Sequence, residues 1–145
     1  MTMILAAVLI IIQLVIALFL NKQPPMLAEL KQRYYRLVKV LKDTKDPLWV
    51  PVLRPAIITG IYGRKDGVIG SNVNKGYEIY VCMDGADVNS AMYVLIHELA
   101  HMSVPEYDHT AAYWTNFNKL KEICIQNGLY QNGGERMYCG EKIKD

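Results

Sequence analysis

The chain has 145 residues, the length of one domain with little left for a second. Its net charge of +2, without any block of basic residues, argues against a nucleic-acid partner. The three cysteines, Cys82, Cys124 and Cys139, are an odd number without CxxC spacing, which argues against a disulfide framework and favours a reducing compartment.

The first predicted element is a membrane-spanning helix. Residues 4–20 contain one polar side chain, Gln13, and a helix of this length covers about 25 Å, enough to cross a thin hydrocarbon core. A cleaved signal peptide is the alternative, but it would need basic residues before the apolar run and a small-x-small site after it. We therefore predict an uncleaved single-pass anchor over residues 1–21, in contact with lipid through residues 4–20.

The distribution of basic residues predicts the orientation of this anchor. No lysine or arginine precedes it, whereas five follow it closely: Lys22, Lys31, Arg33, Arg36 and Lys39. The positive-inside rule then places the C-terminal domain on the cytosolic side of the membrane.

An amphipathic helix is predicted over residues 22–46, after the anchor. Apolar residues recur there at spacings of three and four, with basic residues between them: Leu27, Leu30, Tyr34, Leu37, Val38 and Leu41. Such a helix lies on the membrane surface or packs on its own domain, and packing is the commoner outcome. The segment that follows, DPLWVPVLRP, has three prolines and is predicted to be an extended loop.

A small antiparallel sheet is predicted next, at the start of a domain over residues 47–145. The runs AIITGIY and GYEIYVCM are rich in β-branched and aromatic residues, and glycine and asparagine punctuate the segment between them. A third strand is predicted near Val68 to Ser71. If GYEIYVCM is an exposed edge, an extended peptide could add to it as another strand.

Two helices are predicted after the sheet. The first covers about residues 90–102, with Asp87 or Asn89 as its N-cap and Pro105 after its end. The second covers about residues 110–127 and ends at the Asn-Gly pair before Leu129. Its inward residues are predicted to be Trp114, Phe117, Leu120 and either Ile123 or Cys124. The remaining tail is rich in glycine and asparagine and is predicted to be irregular.

The stretch HELAHMSVPEYDHTAAYW contains all three histidines of the chain. His97 and His101 are four residues apart, so a helix presents both rings on one face, where they can bind a single zinc ion. Glu98 lies beside such an ion rather than on it. There it can act as the general base that takes a proton from zinc-bound water and later delivers it to the leaving amine.

A third ligand must come from outside this helix. His109 follows Pro105 and precedes the next helix, a place from which a side chain can point inward. Glu106 and Asp108 compete for the role, because a carboxylate is also a zinc ligand. Asp108 could instead cap the helix or orient a ligand histidine. Tyr107 and Tyr113 are candidates to hydrogen-bond an oxyanion in the transition state.

The HELAH motif followed by HTAAYW resembles the zinc metallopeptidases of the WLM and SprT kind. The similarity is closest to compact WLM-like proteins of large DNA viruses, which also begin with a hydrophobic segment and have a tail similar to MYCG. The resemblance covers most of the chain after Val81 and implies an α+β, zincin-like domain in which a small antiparallel sheet packs on the HExxH helix and the helix after it. It also implies that His97, His101 and His109 bind Zn²⁺ and that Glu98 is the base.

These observations predict a membrane-anchored zinc metallopeptidase that cuts a peptide or protein substrate near a membrane. The cellular relatives act on proteins crosslinked to DNA, but that substrate is not expected for a chain with an anchor and no basic patch. Two alternatives remain open. One is a structural virion protein that connects a membrane to capsid proteins on a zincin-like domain, and the other is a zinc-stabilised binding module.

Overall fold

The computed structural model describes residues 2–20, 23–63, 66–85 and 87–145. Asn21, the predicted last residue of the anchor, and Lys22, the predicted first residue of the amphipathic helix, lie outside these ranges, so the boundary between the two segments stays a prediction. The fold is mixed α+β, and its helices and strands are α1 (Thr2–Leu20), α2 (Pro25–Thr44), β1 (Ile57–Ile61), β2 (Gly70–Val73), β3 (Glu78–Cys82), α3 (Val88–Ala100), α4 (Ala111–Gln126), β4 (Arg136–Tyr138) and β5 (Glu141–Ile143).

Helix α1 is long and apolar enough to cross a membrane. None of the residues in its hydrophobic window, Met3–Leu20, is buried. A helix that is apolar on every face and covered by no protein exposes side chains that water solvates poorly. The predicted contact of residues 4–20 with lipid stays a prediction.

Helix α2 packs on the domain, as the sequence predicts. Its buried face consists of Leu27, Leu30, Tyr34, Leu37 and Leu41. The Tyr34 hydroxyl also accepts a hydrogen bond of 3.0 Å from the Ala56 amide, which fixes the chain leading into β1. Burial of this apolar stripe stabilises a helix that would be marginal by itself.

The prediction of an extended loop for DPLWVPVLRP is wrong, because Pro47–Leu53 forms a 3-10 helix. The Asp46 side chain caps it by accepting a hydrogen bond of 2.9 Å from the Leu48 amide. A 3-10 helix repeats every three residues, so Trp49 and Val52 share one face. Both are buried, at 2% and 0% exposure. Burial of these two side chains explains why a proline-rich segment is regular here.

Strand β3 is the centre of a three-stranded sheet in the order β1-β3-β2. It pairs antiparallel with β2 and parallel with β1. The prediction of an antiparallel sheet is therefore wrong for one pair of strands. Because β2 lies on the opposite side of β3 from β1, β1 and β3 are neighbours and run in the same direction. GYEIYVCM contains the central strand rather than an edge, and the edge strand nearest α3 is β2, which starts at Gly70 rather than Val68.

Helix α3 begins two residues before the predicted start and is capped by Asp87, whose side chain accepts a hydrogen bond of 2.6 Å from the Ser90 amide. It ends at Ala100, and a 3-10 turn, His101–Ser103, continues it. Helix α4 ends at the predicted Asn-Gly pair, where Gly128 has a left-handed φ of +66°.

The predicted inward face of α4 is correct at Phe117, Leu120 and Cys124 but wrong at Trp114. Tyr113 fills the inward position with 0% exposure, and Trp114 is 42% exposed. Successive residues on a helix are about 100° apart, so Tyr113 and Trp114 point in different directions from α4, and the core lies on the side of Tyr113. Their identities alone do not decide which one faces the core.

The tail is ordered, contrary to prediction. Strands β4 and β5 form an antiparallel hairpin in which Tyr138 pairs with Glu141. The two residues between them, Cys139 and Gly140, have φ of +49° and +84°, as a tight hairpin turn requires. Cys139 forms a disulfide with Cys82 at the end of β3. The prediction of unpaired cysteines is therefore wrong, and the cysteines no longer support a reducing compartment.

Candidate metal centre and cleft

The structure brings the three histidines together at the junction of α3 and α4. His97 is on α3, His101 is the residue after its last turn, and His109 precedes Thr110, the N-cap of α4. Their candidate ligand atoms all lie within 4.8 Å of one another. The Nε2 atoms of His97 and His109 are 2.9 Å apart. Two nitrogens bound to one tetrahedral zinc are about 3.3 Å apart, so this cluster has the dimensions of a metal site.

The other proposed third ligands do not join this group. Among the described residues, the three histidines form the one group of side chains close enough to share an ion. Glu106 and Asp108 are both exposed. Thr110 caps α4 by accepting a hydrogen bond of 3.2 Å from the Tyr113 amide, so Asp108 does not have the capping role that the sequence allowed. Its role in orienting a ligand stays a prediction.

Two aromatic residues of α4 hold the imidazole rings. The Tyr113 hydroxyl donates a hydrogen bond of 3.0 Å to the His97 carbonyl, and its ring centroid is 4.5 Å from that of His101. The Trp114 ring stacks on His109 at 5.5 Å. Tyr113 is fully buried and its hydroxyl is engaged, which favours a positioning role over the predicted contact with an oxyanion.

The imidazoles of His97 and His101 are in an environment that keeps them neutral. Burial lowers the pKa of His97 to about 4, and the neighbouring imidazoles of His101 and His109 add to this effect. Burial also lowers the pKa of His101 to about 4, assisted by His109 and Lys75. Neutral imidazole is the form that binds a metal, so both side chains are ready to act as ligands at neutral pH.

Glu98 lies beside the histidines and opens onto a cleft. Its side chain is 7% exposed, and burial raises its pKa to about 7. It borders two cavities. The smaller, about 200 Å³, is lined by Asn72, Lys75, Glu98, His101 and Tyr107. The larger, about 460 Å³, is lined mainly by Gly70, Val94, His97, Glu98, Trp114 and Ile143. A molecule that spans both cavities would pass directly over this carboxyl group.

Lys75, which the sequence analysis did not select, ties the loop before His109 to the sheet. Its Nζ donates hydrogen bonds to the carbonyls of His101, Val104 and Glu106 at 3.3, 3.0 and 2.8 Å. The same ammonium lies 4.3 Å from the centre of the Tyr107 ring, which is 78% exposed. Lys75 therefore fixes the chain on both sides of Pro105.

Asn72 makes a similar connection from the edge strand. Its Nδ2 donates a hydrogen bond of 2.8 Å to the Glu98 carbonyl, while its Oδ1 accepts one from the Gly76 amide. The sequence contained a weak signal for this region, the Asn74-Lys75-Gly76 turn. All three of its residues have left-handed φ, and a Cβ at Gly76 would overlap Met102.

The chain is similar to an uncharacterized protein of Acanthamoeba polyphaga mimivirus. The two are 37% identical over 83 residues, an alignment that covers 50% of this chain and 42% of the relative. The chain thus spans less than half the length of that relative. No protein-family model and no solved structure matches the chain. The similarity supports a viral origin, whereas the resemblance to WLM and SprT peptidases stays an expectation from the motif.

Proposed function

We propose that the chain is a membrane-anchored, zinc-dependent peptidase. The observation that supports this best is the position of Glu98, a buried carboxyl with a pKa of about 7 that opens onto a cleft beside three converging histidines. A site with a purely structural ion has no use for a poised carboxyl group next to it. A general base for chemistry at neutral pH requires such a group.

The donor set fits zinc. Three imidazole nitrogens, two of them in side chains kept neutral by burial, are a ligand set that leaves one position open on a tetrahedral ion. When bound, zinc supplies Lewis acidity toward a carbonyl oxygen and increases the acidity of water. In this proposal His97, His101 and His109 hold the ion. Glu98 accepts a proton from the attacking water and delivers it to the leaving amine.

The shape of the cleft supports an extended peptide as the substrate. Within the described residues, strand β2 pairs with β3 on one side only, and Gly70 and Asn72 of β2 border the two cavities around Glu98. A peptide that adds to the free edge of β2 would gain main-chain hydrogen bonds and would carry a carbonyl past the site. GYEIYVCM, for which the sequence predicted this role, contains the central strand of the sheet.

A structural connector between a viral membrane and capsid proteins is the second candidate function. The exposed apolar helix α1 and the viral relative favour it, because both suit a building part of a particle as well as an enzyme. The copy number of the chain in purified particles separates the two functions. A stoichiometric copy number would favour the connector, and a few copies per particle would favour the enzyme.

The peptidase is tested with the full chain in lipid nanodiscs, by zinc analysis and by cleavage of a mixed peptide library. We expect about one zinc per chain and cleavage that stops in Glu98→Gln while the zinc content is retained. Glu122→Gln, an exposed carboxylate change on α4, is the matched control and should cleave normally. A chain that binds no metal, or a Glu98→Gln variant with unchanged turnover, would refute the proposal.

A further inference from the structure

We propose that one face of α2 binds the anionic headgroups of the membrane that α1 crosses. This lysine face consists of Lys31, Tyr35, Lys39 and Lys42. The inference does not depend on the peptidase, although it rests on the proposed anchor, because the lysine face is centred about 120° around α2 from the stripe that packs on the domain. Packing on the domain and contact with the membrane, which the sequence predicted as alternatives, would then occur on two faces of the same helix.

The spacing of these residues creates a continuous strip. They follow one another at intervals of four, four and three residues, which places them within an arc of about 80° on an α-helix. The strip is about 16 Å long at a rise of 1.5 Å per residue. Glu29 and Asp43, the two acidic residues of α2, fall outside this arc. The lysine face is therefore uniformly basic along three turns of helix.

The basic residues of α2 divide into two groups by what they contact. The arginines hold the helix to the domain: Arg33 donates to the Leu129 carbonyl at 3.1 Å, and Arg36 donates to the Asn127 carbonyl at 3.5 Å. Arg33 also pairs with Glu29 at 2.7 Å. In contrast, no carboxylate among the described residues lies within ion-pair distance of the three lysine ammonium groups. The lysines are left for an external anion.

Tyr35 indicates that this anion is part of a membrane surface. Its side chain is 64% exposed in the middle of the lysine face, where a purely ionic surface would not need an aromatic ring. Tyrosine is enriched at the level of lipid headgroups, because its ring is apolar and its hydroxyl is polar. Lysines next to such a ring extend their ammonium groups toward phosphate and carboxylate headgroups.

The anchor keeps this face close to lipid. Helix α1 ends at Leu20 and α2 begins at Pro25, so the connection spans at most about 18 Å even when fully extended. A tethered surface meets the headgroups at a high effective concentration, which lets a few weak contacts suffice. A soluble acidic protein or a nucleic acid would bind the same lysines without this advantage.

The test measures how fast each lysine is acetylated in the full chain, reconstituted in vesicles of phosphatidylcholine with or without phosphatidylserine. We expect several-fold slower modification of Lys31, Lys39 and Lys42 on the anionic vesicles, with Lys119 and Lys121 on α4 as internal references that do not change. Salt at about 1 M, where the screening length is about 3 Å, should abolish the protection.

A second measurement uses the triple variant Lys31→Gln, Lys39→Gln and Lys42→Gln. Energy transfer from Trp49 and Trp114 to dansyl-labelled lipid should be larger on anionic than on neutral vesicles in the original chain, and equal on both in the variant. Three outcomes would overturn the proposal. The acetylation rates of the lysines could be equal on both kinds of vesicle, all five lysines could be slowed equally, or protection could require added RNA or acidic peptide.

Discussion

Gly70 lies against the side chain of Glu98, so closely that a Cβ at Gly70 would be 3.0 Å from Oε1 of Glu98 and 2.5 Å from Cγ1 of Val94. The edge strand therefore approaches α3 only because this position has no side chain. We expect Gly70→Ala to displace the carboxyl group or the strand, with a loss of about 1–3 kcal/mol in the free energy of unfolding. Chemical denaturation and peptide cleavage measure the two effects.

The control for this change is the double variant Gly70→Ala with Val94→Ala. Removal of the Val94 methyl groups frees the nearest contact, so the double variant should recover part of the cleavage rate even though Val94→Ala alone leaves a small cavity. If the losses in cleavage rate of the two single variants simply added in the double variant, Gly70→Ala would not act through its contact with Val94.

His109→Ala should lower zinc affinity by about 100-fold or more, since loss of even an outer partner of a ligand costs 10–100-fold. Competition with a zinc chelator measures this affinity. Glu106→Ala and Asp108→Ala are the matched comparisons, and both should bind zinc normally because their side chains lie outside the cluster. If His109→Ala bound zinc with normal affinity and Glu106→Ala or Asp108→Ala lost affinity, the third ligand would be that carboxylate rather than His109.

The activity should depend on the ionisation of Glu98. Burial raises the pKa of this carboxyl to about 7, and a general base acts in its ionised form. That value belongs to the metal-free site, and a zinc ion held by the histidines would lower it, because a nearby positive charge favours the ionised carboxyl. The ratio kcat/KM should therefore rise with pH on the acid side of about pH 7 and then level off. A profile that stays flat down to about pH 5 would contradict the assignment of Glu98 as the base.

Acid should destabilise the metal-free protein, and Glu98 should oppose this effect. The pKa values of His97 and His101 fall from 6.5 to about 4 on folding, so the unfolded chain binds more protons and stability decreases as pH falls below about 6.5. The folded Glu98 keeps its proton up to about pH 7 instead of 4.5, so its contribution is present at low pH and lost as pH rises through 7.

Glu98→Gln removes the opposing contribution. In the presence of a chelator, its melting temperature should fall more steeply than that of the original chain when pH decreases from about 7 to 5. Parallel curves for the two proteins, followed by circular dichroism, would mean that the carboxyl does not titrate in this range.

Lys75→Met should loosen the loop that leads to His109. The change keeps most of the unbranched side chain but removes the donor to three carbonyl groups, at a cost of about 1–3 kcal/mol. We expect weaker zinc binding and faster hydrogen exchange at the amides of residues 107–110. Lys75→Arg, which retains donors and charge, should restore much of both, whereas a role in stability alone would leave zinc affinity unchanged in either variant.

The parts of this fold that could be predicted from sequence depend on local periodicity. Helix α2 buries the residues that its three-and-four spacing selects, and the i, i+4 spacing of His97 and His101 places both rings on one side of α3. His109 could be placed near them because Pro105 turns the chain back between two helices. Each of these inferences spans only a few residues along the chain.

The features that the sequence did not reveal depend on contacts between distant segments. In this sheet β3 lies between β1 and β2, so β1 pairs with β3 and runs parallel to it. The residues of the three strands do not by themselves specify this order. Lys75 reaches carbonyl groups 26–31 residues away. The tail hairpin is held by distant partners, among them the disulfide of Cys139 with Cys82 and the hydrogen bond from the Tyr138 hydroxyl to the Cys82 carbonyl.

The bond between Cys82 and Cys139 closes a covalent ring whose ends are 57 residues apart in sequence. Helices α3 and α4, all three histidines and Glu98 are inside that ring. A single backbone cut within it, including one the protein makes in itself, would leave both fragments joined and would escape notice on a gel run without a reductant. Nicked molecules would separate only after reduction, so a single band without a reductant does not show that the chain is uncut.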